Sequence, residues 1–409
     1  MTGIAALVDH LFRHEAGKMV ATLVRILGVR QVEMAEDVVQ DALCRALEVW
    51  KYHGVPREPS AWLFQAARNR ALDLLRRRKL TDRVAPKISR RLHSEVEEGE
   101  IRDDQLRMMF SCAHPSAPPE GQVAIILKFL CGFSVPEIAR AFLTSDAAVE
   151  KRLARAKRLM KREELRDLPD LKSLSKRLES VHQALYLLFS EGYHGSHPDR
   201  SVREELCAEA LRLAALLAEH RSTAVPATFA LLGLMCLHAA RLPSRIDDAG
   251  SLILLEAQDR SRWSRPLLER GFHFLGRSAE GGQLTPFHLE AGIAALHGQA
   301  PSFEQTDWES ILKLYTLLHR LRPTPIVALN RAIALGKARG AEEGLRELAR
   351  IRGHRQLKNY PFLEAAWGDF DRSAGRLSEA REHLRRALAL ARNDSEKRVL
   401  EDKLARCRV

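Results

Sequence analysis

The sequence predicts an all-α chain built from several helical domains, and three observations carry that prediction. Apolar residues recur at helical spacing through nearly every segment, and the alternation that marks half-buried strands is missing. Hydrophobic residues make up 45% of 409 positions, enough to bury real cores and far from a disordered composition. The stretch Ser134 to Arg162 (SVPEIARAFLTSDAAVEKRLARAKRLMKR) has the start signals and spacing of two helices joined by a short turn.

Taken from the N-terminus, a first unit runs to about residue 80. In VEMAEDVVQDALCRALEVW (32–50), Ala35, Val39, Ala42, Leu43 and Ala46 form the buried face. Glu33, Glu36, Asp37, Gln40 and Asp41 crowd the other side. The chain carries 65 Lys+Arg against 53 Asp+Glu, a formal charge of +12 that favours an anionic partner. An acidic face on such a chain would repel DNA, so it is either a protein-docking surface or ordinary solvated helix. The segment KYHGVPRE (51–58) reads as a loop that sets Tyr52 and His53 ahead of a basic helix. That arrangement suits stacking on unpaired bases, and equally a plain turn before a core Trp62. The helix itself starts near Pro59, with Phe64, Ala67, Ala71 and Leu74 inward. Arg68, Asn69, Arg70, Arg76, Arg77, Arg78 and Lys79 supply cationic and amide groups.

Residues 81–104 are charged and poorly periodic, as in a linker or a loose helix. A second unit spans 105–168. Ser134 with Glu137 makes a capping-box start, and the short helix that follows turns Ile138 and Ala139 inward and ends near Phe142. Ser145 offers a second N-cap, opening a helix with the apolar stripe Val149, Leu153, Ala156 and Met160. Its other face carries Lys151, Arg152, Arg155, Lys157, Arg158, Lys161 and Arg162. A buried stripe opposite a cationic one suits a helix docked on a domain and lying against nucleic acid; the plainer reading is a solvated basic helix. Pro169 breaks it.

Residues 169–409 are Ala/Leu/Arg/Glu-rich and helical throughout. Gly368, Ala380 and Ala387 with Leu384 follow the small-residue logic of a tetratricopeptide helix pair, and 328–348 is a poorer copy. Stacked pairs form a curved solenoid with a concave binding face.

Several chemistries are set aside. The six cysteines are scattered, without CxxC spacing, which argues for reduced thiols and against a disulfide framework or zinc site. The N-terminus lacks the pattern of a signal peptide. The longest apolar stretch, 227–240, is too short to span a bilayer, so a soluble, cytoplasmic protein without membrane contact is expected. EGYHGSHPD (191–199) has metal-like composition but reads as an inter-helix loop. His238, His288 and His297, with Trp308 and Trp367, read as core residues. No phosphate loop, nucleophile elbow or catalytic triad can be placed, so no enzyme activity, cofactor or metal is expected.

Three segments in order, AEDVVQDALCRALEVW (35–50), PSAWLFQAARNRALDLLRRR (59–78) and VPEIARAFLTSDAAVEKRLARAKR (135–158), resemble the extracytoplasmic-function class of bacterial sigma factors. The resemblance covers roughly residues 5–165. It implies two sigma domains, region 2 (1–80) and region 4 (105–168), that join core RNA polymerase and promoter DNA. Glu36, Asp37, Gln40 and Asp41 would face the clamp helices of the largest subunits, and the polymerase flap would be a second contact. Lys51, Tyr52 and His53 would capture a flipped base of the −10 element, with Trp62, Arg68, Asn69, Arg76 and Arg77 on adjoining DNA. Ser145, Asp146, Ala147, Glu150, Lys151, Arg152, Arg155 and Arg158 would meet the −35 element, with Asp146, Ala147, Glu150 and Lys151 nearer bases and the arginines nearer phosphates.

Sigma factors of this class typically end soon after the helix-turn-helix. The continuation resembles that of a subgroup with a tetratricopeptide-related extension, through 185–217, EAQDRSRW (256–263) and RPTPIVALNRAIAL (322–335). It implies a regulatory or supporting domain that could contact the sigma domains intramolecularly. Two other readings stay open: a conventional helix-turn-helix regulator with a sensing helical domain, which would bind a palindrome as a dimer, and a repeat scaffold with a nonspecific basic end.

Overall fold

The computed structural model describes residues 3–28, 31–77, 101, 103–160, 171–194, 202–247 and 251–407, and every regular element among them is helical apart from a single β-bridge between Ile246 and Leu252. The chain divides into two compact units, one of residues 1–188 with 220–223, the other of 189–219 with 224–409.

In the first unit, α1 (Gly3–Leu27), α2 (Val32–His53) and α3 (Pro59–Arg77) pack around Leu23, Val38, Ala42, Trp50 and Leu63, each almost fully buried. The inward stripe of α3 is Leu63, Ala67 and Ala71, spaced four apart. Phe64 and Leu74, expected inside, are half-buried because the stripe is rotated by one residue. Residues 81–100 of the expected linker lie outside the described residues. At its far end Asp103 caps α4 (Asp104–Cys112), accepting a hydrogen bond from the Leu106 N–H at 2.9 Å. Three helices follow: α5 (Pro119–Leu130), α6 (Val135–Ala141) and α7 (Asp146–Met160).

Helix α1 packs on α4 and α5 as well as on α2. Where it crosses the end of α5, a Cβ on Gly17 would overlap the Leu130 carbonyl oxygen. That same oxygen accepts a hydrogen bond from Gln105 Nε2 at 2.9 Å. Arg25 pairs with Asp104 at 3.0 Å nearby. These contacts join the two N-terminal sequence units into one body. Helix α8 (Leu171–Tyr193) begins against it, with Arg177 donating to the Phe110 carbonyl at 3.0 Å.

The second unit is organised by α10 (Pro226–Ala239), which is buried on nearly every side and packs on α9 (Glu204–Glu219), α11 (Arg265–Ser278) and α12 (Pro286–Gln299). The window Pro226–Ser244 is apolar and long enough to span a membrane by composition, but 78% of it is buried inside the fold. Gly271 lets α11 approach closely, since a Cβ there would sit 2.7 Å from Leu237 Cγ.

From α13 (Trp308–Leu321) through α14 (Pro325–Arg339), α15 (Ala341–Ile351), α16 (Pro361–Ser373), α17 (Leu377–Ala389) and α18 (Asp394–Ala405), each helix packs on the one before it. The expected pair at 366–389 is α16 and α17. A Cβ on Gly368 would lie 2.7 Å from Leu384 Cγ, and Ala380, Leu384 and Ala387 are buried. The poorer pair upstream is held by a residue outside it. Gly336 of α14 and Gly344 of α15 both leave room for the Phe370 ring, which is 4% exposed.

Three expectations need correction. His288 is not a packed core residue: it caps α12, its Nδ1 accepting the Thr285 N–H at 3.1 Å. Trp308 and Trp367 are half-buried rather than internal, each lying at the edge of an apolar cluster. Glu191 to Tyr193 are the last turn of α8, not a loop, because Glu191 is drawn inward by Arg203 at 2.6 Å. His197 and Asp199 lie outside the described residues.

One ring fills the space left by two glycines, so Phe370→Ala is expected to lower unfolding stability of the C-terminal helices by about 4 kcal/mol. Urea denaturation followed by circular dichroism checks this.

Candidate nucleic-acid interface

Helix α2 sorts its residues as its period requires. Ala35, Val38, Val39, Ala42 and Ala46 are buried, and Asp37, Gln40 and Asp41 stand in solvent. Asp41 pairs with Arg70 of α3 at 3.1 Å, both side chains about half-exposed, so the pair adds roughly 0–1 kcal/mol and holds neither group strongly. Glu36 differs from its neighbours. It is only half-exposed, with Lys128 of α5 at 4.0 Å, and Glu33 has Lys157 of α7 at 4.0 Å. Burial pushes the Glu36 carboxyl above the ordinary carboxylate range, against the opposing pull of Lys128 and Lys157.

The expected loop 51–58 begins later than its sequence indicates. Lys51, Tyr52 and His53 form the final turn of α2, which closes with the Gly54 N–H donating to the Trp50 carbonyl at 3.1 Å. Gly54, at φ 78°, then reverses the chain, a backbone position that glycine tolerates. The three residues are therefore held on a rigid helix end. Tyr52 is 77% exposed, with Lys51 Nζ 5.7 Å from its ring centroid. Trp50 anchors this end, 1% exposed and edge-on to half-buried Trp62 at 5.4 Å. On α3, Arg68 is half-buried, and exposed Asn69 accepts from Gln65 at 3.2 Å. Arg76 and Arg77 fall within α3, but their side chains, like Arg78 and Lys79, lie outside the described residues.

The second constellation is a helix-turn-helix. The Ser134 N–H donates to Glu137 Oε2 at 2.7 Å and the Glu137 N–H donates to Ser134 Oγ at 3.4 Å, the reciprocal capping box expected of SVPE. Ile138 and Ala139 are buried. The turn passes through Leu143 at φ 50°, a left-handed conformation that costs a non-glycine residue about 1 kcal/mol. Ser145 then caps α7, accepting from the Ala148 N–H at 3.4 Å. Val149, Leu153 and Ala156 seat the helix; the Met160 side chain, with Lys161 and Arg162, is outside the described residues.

Ser145, Asp146, Ala147, Glu150, Lys151, Arg155 and Arg158 are all exposed along one side of α7. Arg152 is half-buried over the Phe142 ring at 5.5 Å. Lys157 leaves the cationic face: it turns back toward Glu33 and lies 5.0 Å from the Phe129 ring centroid. Sequence reasoning missed these inter-domain partners of α2, because nothing in a helical pattern says which helix packs opposite. Thus the docking candidates cluster on α2, the base-capture candidates at its C-terminal end with α3, and the groove candidates on the first turns of α7.

Comparison with known proteins finds family matches on the segments that carry these groups. Residues 11–81 match sigma-70 region 2, residues 108–160 match sigma-70 region 4, and residues 177–279 match a family of unknown function, DUF6596. An uncharacterised protein of Rhizobium meliloti (strain 1021) is 38% identical over 379 residues, covering 90% of this chain and 88% of its own length. No solved structure matches the chain.

The position of Glu36 yields a pH-dependent expectation. Its folded-state pKa is raised above the unfolded value, so the folded chain binds the proton more tightly and the ionised group opposes folding at neutral pH. Glu36→Gln is therefore expected to raise the urea midpoint at pH 7. The advantage should shrink as pH falls toward 4.5 and below, where the wild-type carboxyl takes up its proton. A lower midpoint at pH 7 would mean that attraction to Lys128 and Lys157 outweighs burial.

Proposed function

Because this chain belongs to the extracytoplasmic-function class of sigma-70 factors and carries a DUF6596 extension, we propose that its exposed helix faces divide the work of initiation as three separate contacts. RNA polymerase core and promoter DNA are its partners, and transcription initiation in the cytoplasm is its role. The proposal assigns polymerase docking to Asp37, Gln40 and Asp41 on α2, joined by Glu36 once Lys128 is displaced. Tyr52, with Lys51 and His53, takes the unpaired base of the −10 element. Stacking of about 1–3 kcal/mol offsets part of the few kcal/mol that unpairing costs. Trp62 supports this end through Trp50, and Arg68, Asn69, Arg76 and Arg77 track the adjoining backbone. On α7, Asp146, Ala147, Glu150 and Lys151 enter the −35 major groove from the Ser145 cap. Arg152, Arg155 and Arg158 stand nearer phosphates.

The observation that carries this reading is the exposure of Tyr52 on a rigid helix end, beside an acidic face and a basic helix. A freestanding DNA-binding regulator has no use for either of the first two.

The compactness of the first unit bears on timing. Elements at −35 and −10 are separated by about 25 base pairs, or about 85 Å of duplex. Glu33 and Lys157, from the two reading domains, are 4.0 Å apart in the free chain. The packed arrangement is then a waiting state, opened when polymerase takes the acidic face of α2. We assign the C-terminal helices a regulatory or supporting part in that step.

Transcription in vitro with bacterial core polymerase, on upstream regions of the source genome, tests the reading. Asp37→Lys with Asp41→Lys is expected to abolish co-purification with core polymerase while leaving the helical circular dichroism spectrum unchanged; retained co-purification would move the docking face elsewhere. Tyr52→Ala is expected to lower promoter opening about tenfold with core binding intact, read by permanganate footprinting. A chain ending at residue 188 should alter transcript yield, and equal yields would remove the extension from regulation.

A further inference from the structure

The second unit holds a row of cations, two buried and one half-buried, that no carboxylate among the described residues neutralises. Arg241 and Arg245, in the turn after α10, are 8% and 5% exposed. Their guanidinium carbons lie 6.0 and 3.9 Å from the centroid of Tyr193, at the end of α8. Arg241 is also 5.4 Å from Trp263, and Arg260 is 4.7 Å from that indole. Cation and ring thus alternate from Arg245 through Tyr193, Arg241 and Trp263 to Arg260.

The partners of these guanidiniums are neutral. Arg245 donates to the Tyr193 carbonyl at 3.0 Å and lies 3.4 Å from His194 Nδ1, while Arg241 donates to Gln258 Oε1 at 3.2 Å. Arg260 donates to the carbonyls of His297 and Ala300 at 2.5 and 2.6 Å. Among the described residues no carboxylate lies within ion-pair distance of the three. Buried Glu191 is held by Arg203, and exposed Glu304 acts on Arg260 only from farther away. The charges felt by Arg241 are Tyr193, Arg245 and Arg260. Buried cations are ordinarily paired, because the desolvation they suffer is large.

Six polar atoms in the same cluster are buried without a hydrogen-bond partner: Tyr193 OH, His238 Nδ1, Arg245 Nε, Arg260 Nη2, Trp263 Nε1 and His297 Nδ1. The His238 ring is 5.0 Å from that of Tyr193. Burial and the neighbouring arginines push His238 and His297 down to about 3, so both are neutral here. Native cores leave few such groups unsatisfied. Several donors around unneutralised guanidiniums share one chemical need, an acceptor bearing negative charge.

We propose that this cluster in the C-terminal unit binds the oxyanion group of a small-molecule ligand, with Arg241 and Arg245 supplying charge and the Tyr193 hydroxyl and Trp263 indole N–H orienting it. Burial decides the size class. With Tyr193 2% and Trp263 4% exposed, the phosphates of a nucleic acid backbone cannot reach the row. Phosphate and carboxylate share the chemistry, and the probes below separate them. The site makes the extension a receptor, and it stands whether or not the promoter contacts assigned above hold.

Isothermal titration calorimetry of the full chain tests this with orthophosphate, pyrophosphate and citrate as probes, in 0.3 M NaCl to screen the DNA-reading surfaces. Saturable 1:1 binding of at least one probe is expected, and which one binds says whether phosphate or carboxylate is preferred. Tyr193→Phe, which removes only the hydroxyl, should weaken that binding about tenfold. Arg245→Met should remove it while leaving the thermal midpoint of the free chain unchanged or higher, since an uncompensated buried charge is gone. No saturable heat with any probe, or equal heats in wild type and Tyr193→Phe, would overturn the proposal and leave the row a packing device held by cation–π contacts. If Arg245→Met does not fold, the Tyr193→Phe comparison decides alone.

Discussion

The crossing of α1 over the end of α5 is the contact on which the first unit depends. It closes on a backbone carbonyl, that of Leu130, which has Gly17 pressed against one side and Gln105 bonding from another. No side chain fits at position 17, so the approach distance is set by backbone alone, and packing at this density does not adjust gradually. Once α1 and α5 are so placed, α2 must run beside α5 and α7. That neighbourhood is why Glu36 meets Lys128 and Glu33 meets Lys157. The arrangement also strains one carboxyl electrostatically, because burial of Glu36 outweighs the pull of Lys128 at 4.0 Å and of the more distant charge on Lys157.

The groups proposed for polymerase and promoter contact sit where stability asks little of them. Asp37, Gln40, Asp41, Tyr52, Lys51 and the outer residues of α7 are exposed, on helices whose opposite faces are buried. Trp50 beneath Tyr52 and Val149 with Leu153 beneath the cationic face are examples. The helix-turn-helix accepts a left-handed Leu143 so that α7 can start at Ser145, with its first turn clear of the domain. On the proposed assignment, charge near phosphates is carried by residues whose replacement alters binding more than folding.

The C-terminal unit follows a different economy. Its helices rely on small residues for close approach, Gly271 beneath Leu237 and Gly368 beneath Leu384. Against that dry packing, the row from Arg245 to Arg260 stands out as polar and largely internal, with Arg241 and Arg245 buried and Arg260 half-buried. An apolar core of the same shape would be easier to stabilise, which is the ground for the oxyanion site proposed there.

The helical class, the capping box at Ser134, the cap at Ser145, the acidic side of α2 and the Gly368–Leu384 pairing were all legible in the sequence. Each depends on neighbours within a few positions or on a period the helix itself imposes. The same local logic failed where a distant residue decides the outcome. Lys51 to His53 read as a loop because Gly54 and Pro56 follow, yet Trp50, buried against Trp62, keeps the helix going one more turn. Leu63 displaced Phe64 from the inward stripe, and His288 became a cap. Phe370 rescued a helix pair that its own sequence specifies poorly. The partners of Glu33 and Glu36, and the gathering of Tyr193, Arg241, Arg245, Trp263 and Arg260, join residues far apart along the chain. Local sequence determines which helices form and which face of each is apolar; only tertiary packing decides which charged groups are brought together and which lose water, because desolvation depends on everything that surrounds a group in space.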